Sequence, residues 1–248
     1  MSDSTHPTAA ILIIGDEVLS GKVQDANGPF LIRALRERGV QVTEVRVIGD
    51  TIDGIIAAAR ELSSCVTHLF TTGGIGPTHD DKTIEAISAA FGRAVVRHPE
   101  LERRLETHYG GPLSAARRHL AAVPAGAEVV LDPGDYLPLI RVENVYVFPG
   151  VPALMRLCFE RMADRLEGTP FFSEALYLDI VESRLAEELS AVQESHPQVA
   201  IGSYPRFEPV GYRVKVTVDG RDQRAVELAL KALREALDPA WIVDIEPS

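Results

Sequence analysis

Residues 71–83 read TTGGIGPTHDDKT, three glycines and a proline directly ahead of two adjacent carboxylates, Asp80 and Asp81. Gly73, Gly74 and Gly76 let the backbone take positive φ and approach a ligand with no Cβ in the way. A helix expected to start near Asp81 to Thr83 would bring free N–H groups and a positive dipole end to the same point. That geometry suits a phosphate, but two carboxylates repel one. A divalent cation reconciles the two features. Mg²⁺ takes one or two carboxylates, keeps waters and completes its sphere with phosphate oxygens, which polarises the phosphoryl group and acidifies a bound water. Asp80 and Asp81 are therefore candidate metal ligands, with Gly73, Gly74, Gly76, Pro77, Thr78 and Thr83 around the phosphate. The alternative is that one aspartate merely caps the helix and that glycine and proline merely mark a turn. The loop matches neither the Walker pattern nor GxGxxG.

Two further loops share this character. ILIIGDE (11–17) ends an apolar run in Gly15, Asp16 and Glu17, with Asp25 and Asn27 shortly after, and VYVFPGVP (145–152) ends another in Pro149, Gly150 and Pro152. Loops at the carboxyl ends of neighbouring parallel strands converge on one crevice, so the three are expected to share a site. His79 reads either as a metal ligand or proton carrier or as a solvated loop residue. His68, inside a strand, is expected to pack. The remaining histidines have no metal spacing, and CxxC and HExxH are absent. Ser20, Ser63 and Ser64 lack a nucleophile-elbow context.

Strands and helices alternate from residue 9: AAILII, NGPFLIRALRERG with Asn27 as a possible cap and Gly39 as a stop, VQVTEVRVI, TIDGIIAAARELSS, THLFTT and TIEAISAAFG. This alternation predicts a mostly parallel sheet covered on both faces, a three-layer α/β/α domain. Residues 98–123 read as charged helix, AEVVLD, LPLIRV and VYVF as strands with a hairpin at Glu143 and Asn144, and VPALMRLCFERMADRL as a helix. EGTPFF reads as a linker. The order β-α-β-β-α-β follows, predicting a small ferredoxin-like α+β domain. The expected organisation is thus a disordered lead over residues 1–8, an α/β domain over 9–168 and a small domain over 172–248.

At 248 residues, with 46% hydrophobic and 25% charged side chains, the composition is that of a globular protein. A net charge of -11 argues against sequence-independent nucleic-acid binding. No apolar run reaches membrane length, and the first ten residues lack signal-peptide character, so a cytoplasmic location is the default expectation. Cys65 and Cys158 are expected to be buried small hydrophobes.

GDEVLSGKVQDANGPFLIRALRERG, TTGGIGPTHDDKTIEA and FPGVPALM resemble the molybdopterin-binding superfamily, more closely the branch holding the N-terminal part of CinA-type proteins and the pterin-binding-like domain of eukaryotic FAD synthase. The resemblance covers residues 9 to about 166 and continues through SEALYLDIVES, IGSYPRF and YRVKVTVD. It implies a crevice for a pterin or nucleotide phosphate, a Mg²⁺ or Co²⁺ cofactor, and a homo-oligomer. It also implies one of two activities: adenylylation of molybdopterin, or metal-dependent pyrophosphate cleavage of FAD or ADP-ribose. By motif position Asp81 falls on the metal-linked aspartate and Asp50, in VIGDT, on a family aspartate of the same crevice. Asp80 stands where the adenylylating members usually carry arginine, and Ile75 where they carry threonine. These departures favour a pyrophosphatase that releases AMP, with a non-hydrolytic molybdopterin- or nucleotide-binding protein as the alternative.

Overall fold

A computed structural model describes residues 6–243. These divide into two compact units that meet between Gly168 and Thr169. The first begins with β1 (Thr8–Ile14), a short α1 (Asp16–Leu19), α2 (Asn27–Glu37), β2 (Gln41–Ile48), α3 (Ile52–Cys65), β3 (His68–Thr72) and α4 (Thr83–Ala90). It continues with β4 (Val95–Arg97), α5 (Pro99–Tyr109), α6 (Ala115–Arg118), β5 (Ala122–Pro124), β6 (Glu128–Val130), β7 (Leu139–Val142), β8 (Val145–Phe148) and α7 (Pro152–Ala163).

Its main sheet runs β2-β1-β3-β8-β7-β6. The first four strands are parallel, and β7 turns back antiparallel between β8 and β6. Side chains alternate across a strand, so the continuous apolar run of β1 serves both faces, as buried parallel strands do. Ala10, Leu12 and Ile14 pack with Ile55, Ala59 and Ile87 of α3 and α4. Ala9, Ile11 and Ile13 pack with Leu31 and Leu35 of α2 and with Met155 and Phe159 of α7. Burying each large side chain of these layers contributes about 1.5–3 kcal/mol. The result is a three-layer α/β/α domain with every parallel strand pointing its carboxyl end at one edge.

Local details depart from the sequence reading. Thr8 is the first strand residue, donating its N–H to Thr67 Oγ1 at 3.1 Å, so order begins before residue 9, and residues 1–5 lie outside the described residues. The 98–123 stretch is not one helical region. Gly110, at φ +73°, ends α5, and the chain resumes as α6 and then as β5, which pairs antiparallel with β4. Cys65 is exposed as the last residue of α3, whereas Cys158 is buried, its thiol on the Pro138 carbonyl just ahead of β7. The hairpin turn does fall at Glu143 and Asn144, with Glu143 in the left-handed region at φ +52°.

The second unit holds β9 (Phe172–Leu178), α8 (Ala186–Ser195), β10 (Val199–Val210), β11 (Tyr212–Gly220), α9 (Gln223–Ala236) and β12 (Ile242–Val243). Phe172 thus belongs to a strand rather than to the linker. The order β10-β11-β9-β12, all antiparallel, is that of a ferredoxin-like unit. Val214, Val216 and Val218 of β11 pack on Val226, Ala229 and Leu233 of α9. Asp222 caps α9 by accepting the N–H groups of Arg224 and Ala225.

Candidate functional site

The carboxyl ends of β1, β3 and β8 place the three loops side by side. Asn27 fastens them. Although the residue reads as a helix cap, it is the first residue of α2 and is buried. Its Nδ2 donates to Thr72 Oγ1 and to the Gly150 carbonyl, each at 2.8 Å, and Thr72 Oγ1 donates in turn to the Pro149 carbonyl at 3.0 Å. Asp25 supplies the capping instead, accepting the N–H groups of Asn27 at 2.9 Å and Gly28 at 3.1 Å. Asn27 therefore ties its segment to the ends of β3 and β8, while Asp25 fixes the start of α2.

Gly73 and Gly74 both take positive φ, +105° and +63°. A Cβ on Gly73 would run into the backbone carbonyl of Ile14, and one on Gly74 into Thr83 Oγ1, so neither position admits a side chain. Gly150 closes against the same turn, its Cβ position lying 3.3 Å from the Gly73 Cα. Thr83 is fully buried and faces the loop, donating its hydroxyl to the Gly73 carbonyl at 2.8 Å and its N–H to the Gly74 carbonyl at 2.9 Å. Gly73 N–H is engaged by Phe148, whereas those of Gly74, Ile75 and Gly76 make no hydrogen bond within the described residues. Consecutive unengaged amides of this kind form an anion-accepting surface.

Neither Asp80 nor Asp81 caps α4, whose N-cap is Lys82 without a side-chain capping bond. Asp81 Oδ2 instead accepts the N–H of Thr78 at 2.7 Å together with its hydroxyl, which leaves Oδ1 outside that turn. Its carboxylate lies beneath Gly76, where a Cβ would approach Oδ2 to 2.6 Å. Asp80 is exposed, 4.0 Å from a fully exposed His79, and hydrogen bonding from Thr78 holds its carboxyl below the ordinary value.

Asp50 completes the acidic side of the crevice. Its Oδ2 accepts the Asp16 N–H at 2.8 Å, and its Oδ1 lies 3.5 Å from the Cβ position of Gly74. Burial, reinforced by the negative charges of Glu17, Asp16 and Asp80, pushes its carboxyl up, against the opposing Asp16 N–H bond. Acids from three separate segments thus act on one point. Gly15 leads into this cluster, its N–H engaged by the Ile48 carbonyl at 3.0 Å, and Pro152 stands behind the third loop as the first residue of α7.

Among the described residues no three His, Cys, Asp or Glu side chains are gathered closely enough to hold a metal unaided. The donor set is all oxygen, and burial together with the neighbouring Glu17, Asp16 and Asp80 charges raises the Asp50 carboxyl despite the Asp16 N–H bond. Those properties fit a hard dication held by one or two carboxylates, waters and ligand phosphate rather than by a full protein cage.

Beside the glycine loop lies a cavity of about 550 Å³, bordered by Glu17, Gly74, Gly76, Asp81, Pro149 and Gly150. Its lining also includes the aromatic and apolar Tyr109, Tyr136, Leu137 and Leu154. A second cavity of about 590 Å³ shares Gly74, Gly76 and Asp81 and extends over Thr78, Lys82 and His119. Sequence reasoning missed these aromatic residues. Tyr109 sits at a helix end and Tyr136 in the irregular segment before β7, far along the chain, and no spacing links them; only the helix break at Gly110 and Gly111 marks that region.

Comparison with known proteins agrees with this architecture. Residues 10–168 match the family model described as a probable molybdopterin binding domain, and residues 170–246 match the FAD synthase middle domain. A protein of Archaeoglobus fulgidus is 34% identical over 92% of this chain and 97% of its own length. A probable FAD synthase of Caenorhabditis elegans is 32% identical over 93% of this chain, which spans 50% of that protein. The crystal structure of CinA of unknown function from Thermoplasma acidophilum superposes with a TM-score of 0.61 at 26% identity, covering 66% of this chain and 99% of that one. With a family match extending over more than half its residues, the chain belongs to the molybdopterin-binding domain family.

Proposed function

We propose that the crevice of the first unit is the active site of a divalent-metal-dependent nucleotide pyrophosphatase that hydrolyses FAD, ADP-ribose or a similar dinucleotide and releases AMP. The observation that supports this reading most is the meeting of unengaged amides at Gly74, Ile75 and Gly76 with the half-buried carboxylate of Asp50, whose Oδ1 lies 3.5 Å from the Cβ position of Gly74. An anion surface and a negative field on one point are compatible when a dication stands between them.

The loop amides hold a phosphate and stabilise the charge that builds on its oxygens during attack. Asp81 and Asp80 are the residues that would hold Mg²⁺ or Co²⁺, which supplies charge neutralisation of the phosphoanhydride when bound. Asp50, with Asp16 and Glu17 beside it, orients the attacking water and takes up its proton. Water adds to one phosphorus and the bridging P–O bond breaks, so that FAD yields FMN and AMP. Phosphoryl transfer depends on positioning and charge neutralisation, so no side-chain nucleophile is required.

The test is AMP release from FAD and ADP-ribose by the full chain with Mg²⁺ or Co²⁺ added. Asp50→Asn and Asp81→Asn preserve shape while removing charge, and each is expected to lower the rate by at least a hundredfold with far-UV circular dichroism unchanged. Absence of metal-dependent release by the native chain, or full activity in both variants, rejects the reading. Tight nucleotide or molybdopterin binding without release would favour a non-hydrolytic binding module in its place.

A further inference from the structure

We propose that the helix-free face of the second unit's sheet binds a short single strand of nucleic acid, its unpaired bases stacking on Tyr204 and Phe207 and its phosphates meeting Lys215 and Arg206. All of these residues belong to the second unit, so this binding is independent of the chemistry assigned to the crevice.

Both helices of the unit cover one face of its sheet. Side chains alternate across a strand, and Leu176, Leu178, Val214, Val216 and Val218 pack with α8 and α9. Tyr177 of β9 and Lys215 of β11, which lie between them, therefore take the other face. Tyr204 of β10 joins them, because it stands directly opposite Lys215, which in turn stands opposite Tyr177. At about 4.8 Å per strand the two tyrosines are about 10 Å apart, with the lysine between them.

Tyr204 offers an accessible ring. A Cβ on Gly202 would come within 3.1 Å of its Cε2, so one side of the ring rests across Gly202. The residue is nevertheless 56% exposed, and among the described residues no ring or guanidinium lies on it. Phe207, in the irregular stretch of β10 between Pro205 and Val210, is fully exposed. Unpaired bases cover aromatic surface of this kind whatever their sequence, since every base has a π-face, and aromatic side chains on a four-stranded sheet stack two or three of them. Cations stand close by. Lys215 Nζ lies 5.9 Å from the Tyr177 centroid and forms no ion pair among the described residues. Arg206 lies 4.3 Å over the Tyr212 ring, which meets Tyr177 edge-on at 4.8 Å.

The local charge suits an anion although the chain carries -11. The acids bordering β11 on this face are engaged, Asp179 with Arg213 at 2.9 Å and Asp219 with the Thr217 hydroxyl at 3.0 Å. Glu187, Glu188 and Glu227 belong to the helices of the covered face. The overall charge opposes a long groove that tracks phosphates, which restricts the ligand to a few nucleotides held mainly by stacking.

Fluorescence anisotropy of fluorescein-labelled RNA and DNA strands of about eight nucleotides, titrated with the full chain, is the test. Micromolar binding of at least one of them is expected at about 50 mM salt, weakening towards about 200 mM. Tyr204→Ala and Phe207→Ala should each weaken it at least about fivefold, and Tyr204→Phe should retain it, which separates loss of stacking from loss of fold. Lys215→Ala should lower the slope of log Kd against log salt by about 0.7. Absence of binding at about 100 µM protein, a duplex bound as tightly as the single strand, or undiminished binding in both alanine variants overturns the proposal. Self-association lost in Phe207→Ala, with neither strand bound, would assign the face to a second copy of the chain and overturn it as well.

Discussion

Replacing Asn27 tests whether one buried amide holds the crevice together. Asn27→Ala removes two donated hydrogen bonds, to Thr72 Oγ1 and to the Gly150 carbonyl. At a net worth of about 1 kcal/mol each, their loss costs about 2 kcal/mol. Two corrections act on that figure in opposite directions. Thr72 Oγ1 is left buried with only its donation to Pro149, which adds to the cost. Asn27 Oδ1 is buried without a partner, so deleting it removes a desolvation penalty. The expected destabilisation is therefore about 1–3 kcal/mol, read as a lower urea midpoint at unchanged slope. Far-UV circular dichroism is the suitable probe, because the single tryptophan, Trp241, lies in the second unit. Asn27→Asp keeps the shape but turns both donors into acceptors and buries a charge, so it should cost more than alanine. A loss below about 0.5 kcal/mol for Asn27→Ala, or an aspartate variant milder than the alanine one, would refute the reasoning.

Two other perturbations follow from the site and the cysteines. Asp50 holds its proton more tightly in the folded chain than in the unfolded one, so its contribution to stability is present below the ordinary aspartate value and is lost as pH rises through the raised one. Asp50→Asn should accordingly flatten the decline of Tm with pH from about pH 4 upward, and a steeper decline in the variant would contradict the assigned shift. A thiol reagent should modify Cys65 in the native protein and reach Cys158 only after unfolding, since burial pushes the Cys158 thiol up to about 12; mass-mapped labelling of Cys158 in the native chain would contradict its placement.

The parallel core was readable because β1 is apolar on both faces and its helices are apolar on one, patterns with periods of two and 3.6 that survive in a single sequence. The glycine loop was readable because Gly73 and Gly74 occupy backbone conformations closed to other residues. β4 was not, since Val95, Val96 and Arg97 are all exposed and show no alternation. Asp25 and Asn27 stand in the right loop, but which of them caps α2 depends on Thr72 and Gly150. Tyr109 and Tyr136 meet only through the fold, by way of His108. The sequence therefore exposed the glycine loop and concealed the aromatic residues that line the cavity beside it.

The position of β8 also bears on how the chain is made. β8 pairs locally with β7 through the tight turn at Glu143, and over a long span with β3, Leu69 lying opposite Val145. On the ribosome β1, β2 and β3 emerge well before that partner, so the β3 flank stays open to other nascent chains until residue 148 has left the exit tunnel. Slowing translation between β3 and β8 should then lower the soluble yield of the protein, while codon changes after α7 should leave it unaffected.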